Sequence, residues 1–335
     1  MYILLSSAYR PRYREDILRC LSAPIGATVQ FRYDMLWVES DIWDNPNRLA
    51  NEEGLVCFVD NTPMGRLPVV PVRFVQLVET RRHGTTLSTR FKMKEFPCLL
   101  GREDSDSLIS SPAWNGPKKL QEGQITGCYF FESNTDTPPF VKSLELANWE
   151  QIVTHLSSLA PFSQEWYFLT ILGVYERKSV PASPMKFEPL PNQLVSRQPY
   201  SLAVYHYINR EPSDTYVQHL VVKHGGTIEP LSEPRIRIDS RYDLKLWHFE
   251  SRGELAESRQ GWIEVQSAPE AWGIELVFET PSMIKRAMLL VLILAAALWI
   301  SNSIDSELLK GWGVVLSLLG ALVAAIVIVF GIRKP

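Results

Sequence analysis

Cysteine is scarce in this chain and carries no pattern. The four cysteines, Cys20, Cys57, Cys98 and Cys128, fall in the first half without CxxC spacing. That argues against a disulfide framework and a zinc site and fits a reducing compartment. Catalytic signatures are missing as well. The six histidines, His83, His155, His206, His219, His224 and His248, form no HxxE, HExxH or HxH, and no GxSxG, GxxxxGK[ST] or GxGxxG occurs. Hydrolase, nucleoside-triphosphatase and dinucleotide-binding readings therefore lack their local chemistry. Neither sign of charge dominates: 34 basic residues stand against 37 acidic ones, net −3, so no global field selects nucleic acid. Met1-Tyr2-Ile3-Leu4-Leu5-Ser6 has no charged n-region and no long apolar core, so no signal peptide is expected there.

What the chain does have is a pair of apolar runs near its end, at 287–300 and 311–332, joined by the polar link 301–310. The second run has 22 residues and no charged side chain, against roughly 20 needed to cross about 30 Å of hydrocarbon. The first run is 14 residues long and reaches spanning length by recruiting Met283-Ile284 or the Ser/Asn turn that follows. The pair reads as a transmembrane helical hairpin, with spans at 284–304 and 311–332, because a helix satisfies every backbone polar group internally in lipid. Lys285 and Arg286 precede the first span and Arg333 and Lys334 follow the second, placing both flanks in the cytoplasm; Trp299 and Trp312 bracket the link at the opposite interface. Small residues recur on the second span as Gly313 and Ser317, Gly320 and Ala324, and Ala321 and Ala325, a face that lets helices approach closely and favours self-association. No ionisable group lies inside either run, which argues against a transporter or proton relay.

Five prolines between 180 and 199 mark a linker, since neither helix interiors nor central strands accept them. The expected organisation is a mixed α+β recognition domain over 1–178, a proline-rich linker over 179–199, an all-β, immunoglobulin-like sandwich over 200–280 next to the membrane, and the hairpin. In the first domain, helices are expected at 14–22 and 144–159, and strands at 28–38, 55–60, 69–80, 85–93, 125–132 and 166–175. In the second, strands are expected at 201–208, 216–222, 235–238, 242–249, 262–265 and 273–278. The segment 101–123 is polar and reads as a long surface loop.

The most suggestive local chemistry is the hairpin joined through Arg82-His83-Gly84. Arg73, Arg81, Arg82, His83, Arg90, Lys92 and Lys94 outweigh Glu79 and Glu95, with Phe74 and Phe91 interleaved. Such a segment grips phosphates, stacks bases, or rests against anionic lipid; the plain alternative is a solvated edge hairpin whose charges block strand-to-strand aggregation. His206, His219 and His248 lie on strands of one domain and would bind metal only if they converged. No metal or cofactor is expected. Cys57 and Cys128 sit in apolar runs as inert thiols. Arg32-Tyr33-Asp34 recurs as Arg241-Tyr242-Asp243, a repeat whose flanking tryptophans differ in spacing by one residue, as chance produces.

These features point to a non-enzymatic, membrane-anchored recognition module, integral to the inner or plasma membrane. Its expected partners are the bilayer, further copies of itself or a membrane complex, and a cytosolic protein or nucleotide. In layout alone, a cytosolic body on a two-helix hairpin resembles the membrane-acting effectors of bacterial antiviral systems, which implies a pore-forming alternative. A tethered enzyme is the third expectation.

Overall fold

The computed structural model describes residues 1–7, 10–60, 69–98, 129–132, 140–163, 167–181, 185–191, 193–209, 218–253, 259–267 and 273–281. In chain order these form β1 (Tyr2–Ser7), α1 (Pro11–Ser22), β2 (Thr28–Asp34), α2 (Ser40–Asp44), β3 (Glu53–Val59), β4 (Val69–His83), β5 (Thr86–Met93), β6 (Phe96–Cys98), β7 (Tyr129–Glu132), β8 (Val141–Ser143), α3 (Leu146–Ser157), α4 (Ala160–Ser163) and β9 (Tyr167–Glu176). Beyond the proline-rich segment come β10 (Pro199–Ile208), β11 (Gln218–Gly226), β12 (Ile228–Pro230), β13 (Arg235–Ile238), β14 (Tyr242–Ser251), β15 (Arg259–Ser267) and β16 (Gly273–Thr280). The described residues are mostly β. The segment 101–123 and the apolar runs at 287–300 and 311–332 lie outside the described residues.

Six strands make the first sheet, in the order β2-β5-β4-β3-β1-β7. Periodicity explains its outer members: on β5, Leu87, Thr89, Phe91 and Met93 are buried while Arg90 and Lys92 are exposed, the period of two that one buried face demands. β1 shows no such alternation. It runs parallel to β3 and antiparallel to β7, and both of its faces are covered, so its sequence is a continuous apolar run. The β4–β5 turn is tighter than its sequence suggested. Arg82 and His83 pair with Leu87 and Thr86, and Gly84, at φ +59°, supplies the left-handed residue between them.

α1 opens with Pro11, whose fixed φ and missing N–H suit a first helical turn, and buries Ile17, Leu18, Cys20 and Leu21. It lies between the first sheet and a second one, ordered β12-β14-β10-β9. Three hydrogen bonds fix that layering: Ser22 Oγ donates to the Leu169 carbonyl at 2.6 Å, Thr170 Oγ1 to the Leu21 carbonyl at 2.9 Å, and Trp149 Nε1 of α3 to that same carbonyl at 3.1 Å. A third sheet, β13-β11-β15-β16, faces the second across Trp247 and Phe249, with His224 at 5.9 Å from Trp247 and Phe278 at 6.4 Å from Phe249. One continuous core therefore runs from Leu4 through Trp149 and Tyr205 to Phe278.

The proline-rich segment is built into that core. β9, which precedes it, pairs with β10, which follows it, from Glu176–Tyr200 to Tyr167–Ile208, so the second sheet draws strands from both sides. Between them Phe187 and Leu194 are buried, and the amides of Phe187, Glu188 and Leu190 donate to the carbonyls of Leu144, Leu172 and Ile25. Proline removes donors and fixes φ, which suits an irregular strap docked on other elements as well as it suits a spacer.

The turn signal His224-Gly225-Gly226 also has its physical account. Gly226 sits at φ +65°, and a Cβ there would stand 2.2 Å from the Gln260 carbonyl oxygen. Gly226→Ala is expected to destabilise the fold by about 2–4 kcal/mol, combining left-handed strain with a backbone clash, as read by the shift of the thermal unfolding midpoint. An unchanged midpoint overturns this account of the β11–β15 register.

Candidate functional site

The outer face of the first sheet is divided. Its β1-β3-β7 half carries a second, smaller apolar cluster that includes Ile3, Leu55, Cys57, Tyr129 and Phe131. The β2-β5-β4 half is polar and open, and register decides what it presents. One rung holds Gln76, Lys92 and Thr28; the next Glu79, Arg90 and Gln30; the next Arg81, Ser88 and Arg32; the last His83, Thr86 and Asp34. With strands about 4.8 Å apart and same-face residues about 7 Å apart along a strand, the four rungs span roughly 10 by 20 Å. Arg32, Arg81, Arg90 and Lys92 there outnumber Glu79 and Asp34. Arg81 and Arg90 both lean on the Glu79 carboxylate, Arg90 at 3.4 Å, with their side chains 67% and 50% exposed. Gln30 Nε2 donates to Ser88 Oγ at 2.5 Å, bracing the edge strand.

Three of the residues expected on this surface behave differently. Arg73 is wholly buried, because it falls on the opposite face of β4, toward α1. Its Nε donates to the Lys94 carbonyl at 2.6 Å and its Nη1 to the Cys20 carbonyl at 3.4 Å, while the guanidinium lies 3.7 Å from the Phe96 ring centroid and 5.8 Å from that of Phe187. Burial pushes its pKa down to about 9, which leaves it charged at neutral pH. Arg73 is thus a corner post joining α1, β4, β6 and the proline-rich strap, and it is withdrawn from any surface contact. Arg82 also turns from the rungs and lies over Trp43 of α2 at 5.5 Å. Lys94 leaves the face for a cleft of about 720 Å³ that Lys92 also rims, walled by Ile25, Leu190, Pro191 and Val277, with Glu275 opposite.

A second hollow adjoins the rungs. Gln30 and Arg32 on the edge strand β2 share a groove of about 430 Å³ with Arg12, Tyr13, Glu15, Asp16 and Arg19 of α1. Burial pushes the Asp16 carboxyl up to about 6, against the opposing pull of Arg19 at 3.5 Å. Nothing in the local sequence near Asp16 announces this. Arg32 was legible on the polar face of β2, but its neighbours come from α1 and β5 and depend on register and packing.

The histidines do not converge. His206 and His248 lie on opposite faces of the second sheet, since His248 pairs with Ser201, five residues from His206 on β10. His219 is on β11, in the third sheet. Among the described residues no group of three His, Cys, Asp or Glu is placed to hold a metal ion. His206 is buried with Nε2 on the Ser240 carbonyl at 3.0 Å, and burial lowers its pKa. Ser201 Oγ lies 2.8 Å from His248 Nδ1, yet Ser201 is fully buried, so this contact is a rivet between strands and offers no substrate a nucleophile. Burial raises the thiol pKa of Cys20 and of Cys57, leaving both unreactive; Cys128 lies outside the described residues. The two copies of Arg-Tyr-Asp differ in environment, Tyr33 being buried and Tyr242 exposed.

Among the described residues no helix is long and apolar enough to cross a membrane. Lys285, Arg286, Trp299, Trp312, Gly313, Ser317, Gly320, Ala321, Ala324, Ala325, Arg333 and Lys334 all lie outside them. No protein-family model matches the chain, and no curated protein matches it either.

Proposed function

We propose that this protein is a membrane-anchored recognition module that engages a phosphate-bearing or otherwise anionic partner on the open half of its first sheet. The observation that carries this reading is the alignment of Arg32, Arg81, Arg90 and Lys92 on one solvent-facing side of neighbouring rungs. Charges placed only to protect a sheet edge would gather on β2, the edge strand of this half of the sheet among the described residues; here three of the four stand on β4 and β5, inside the sheet. The membrane anchor is the apolar pair 287–300 and 311–332, whose length and flanking charges support insertion. The sandwich-like pair of sheets spaces the basic face from the bilayer, and self-association would follow from the small-residue face of the second span.

The test uses the full chain in nanodiscs of neutral lipid, applied to phosphocellulose across a salt series. The wild type is expected to be retained and to elute with a steep salt dependence, as ionic contacts do. The double variant Arg81→Glu, Arg90→Glu is expected to elute at markedly lower salt, its logarithmic salt slope shallower by roughly one for each phosphate it no longer engages. Equal elution of the two proteins would retire the reading.

A further inference from the structure

Resting on that reading, we infer that the groove between α1 and β2 binds an organic phosphomonoester of about mononucleotide size, and that Asp16 makes the binding pH-dependent. The groove gathers three guanidinium groups from two elements: Arg12 and Arg19 from α1, and Arg32 from β2. Guanidinium is the side-chain group whose planar fork matches phosphate oxygens in pairs. Among the described residues Arg32 makes no ion pair, and Arg19 is held by Asp16 alone, at 3.5 Å. Gln30, whose Nε2 is given to Ser88, lines the same rim, and the Arg12 guanidinium lies over the Tyr13 ring at 5.0 Å from its centroid and donates to its hydroxyl at 3.3 Å, which holds that cation at the groove wall. A volume of about 430 Å³ far exceeds a bare phosphate and falls in the range of about 300–1,000 Å³ typical of small-molecule sites, so the anion should carry an organic body. Gln30 and Arg32 belong at once to this groove and to the open basic face, which makes the groove its continuation around the edge strand.

Charge balance sets the pH behaviour. The charges acting on Asp16 are Arg19, Glu15 and Arg12, all on its own helix, while Arg32 lines the groove from β2; Arg14 donates instead to the Pro161 carbonyl at 3.1 Å. With Glu15 and Asp16 ionised the groove nets one positive charge, and protonation of Asp16 raises that to two and frees Arg19. Burial raises the Asp16 pKa to about 6, so the change falls between pH 7.5 and pH 5. A phosphomonoester loses its second proton in the same interval, with a pKa of about 6, so a probe of constant charge is needed to isolate the protein's part.

The experiment is equilibrium binding to the full chain in neutral-lipid nanodiscs, using adenosine monophosphate, inorganic phosphate and sulfate from pH 5 to pH 7.5. Expected are tighter binding of the nucleotide than of inorganic phosphate by tenfold or more, and weakening of the nucleotide by at least tenfold in Arg32→Gln and in Arg19→Gln. Sulfate, a dianion throughout, should bind several-fold tighter at pH 5 than at pH 7.5 in the wild type and equally at both in Asp16→Asn. Asp16→Asn serves as its own folding control, since loss of a buried charge should raise its unfolding midpoint above the wild type at pH 7.5 but not at pH 5. Equal affinities for nucleotide and phosphate, or a sulfate profile unchanged by Asp16→Asn, would overturn the inference. If Arg90→Gln with Lys92→Gln abolishes nucleotide binding while Arg19→Gln and Arg32→Gln leave it intact, the groove is wrong and the basic-face reading stands. Retention on phosphocellulose without binding of any small anion sinks the groove alone; loss of both sinks the two together.

Discussion

Arg73→Ala is expected to destabilise the folded body by about 3–5 kcal/mol, whereas Arg73→Met should fall within about 1 kcal/mol of the wild type or exceed it. The two substitutions share the loss of the cation and its hydrogen bonds and differ in packing. Both leave the Cys20 and Lys94 carbonyls without the guanidinium donor, and alanine in addition removes the stack on Phe96 and Phe187 and leaves a void at the junction of α1, β4, β6 and the strap. Methionine keeps most of the volume and the aromatic contact, and it also deletes a buried cation that burial disfavours enough to lower its pKa to about 9. Urea unfolding of the full chain in detergent, followed by tryptophan fluorescence, decides between them, since Trp149 and Trp247 are fully buried. Equal losses in both variants would show that the guanidinium hydrogen bonds hold the corner together.

Deletion of residues 283–335 is expected to move the protein from the carbonate-resistant membrane pellet to the soluble fraction almost completely. Thirteen Val, Leu, Ile or Phe residues in 311–332, each favouring insertion by roughly 0.3–0.6 kcal/mol, together contribute about 4–8 kcal/mol. No charged residue in the span opposes them. The deletion also divides anchor from effector. Depolarisation of cells expressing the full chain, lost on deletion, would favour assembly into a pore through the face that carries Gly313, Ser317, Gly320 and Ala324. Retention of the membrane potential under every trigger leaves the hairpin as an anchor. Extraction of the intact protein by carbonate would sink both readings.

The strands from Thr28 to Phe278 were legible wherever one face is buried and the other wet, because alternation is then written into the chain, as on β5 and β16. The helices α1 and α3 were legible for the analogous reason, with Ile17, Leu18 and Leu21, and Trp149, Ile152, Val153 and Leu156, at helical spacing. β1, β3 and β9 are covered on both faces and carry no period; β3 and β9 were legible from their apolar runs alone, and the equally apolar run of β1 was not assigned. The partnership of β9 with β10 escaped because prolines report where a ladder stops and say nothing of what the flanking strands do next. Arg73 was misread for a related reason: a bulge between Leu77 and Glu79 shifts the phase of β4, so arginines on one strand face opposite ways.

The amino-acid sequence by itself determined the β-rich character of the body, the positions of most strands and the presence of two long apolar runs, since each depends on local periodicity or local hydropathy. Only the tertiary structure decided which cations share a surface, which one is buried, and that Asp16, Arg19 and Arg32 line one groove. Those relations depend on strand register and on the docking of α1 against the sheet edge. Both are set by contacts between residues far apart in the chain, and no window along it contains them.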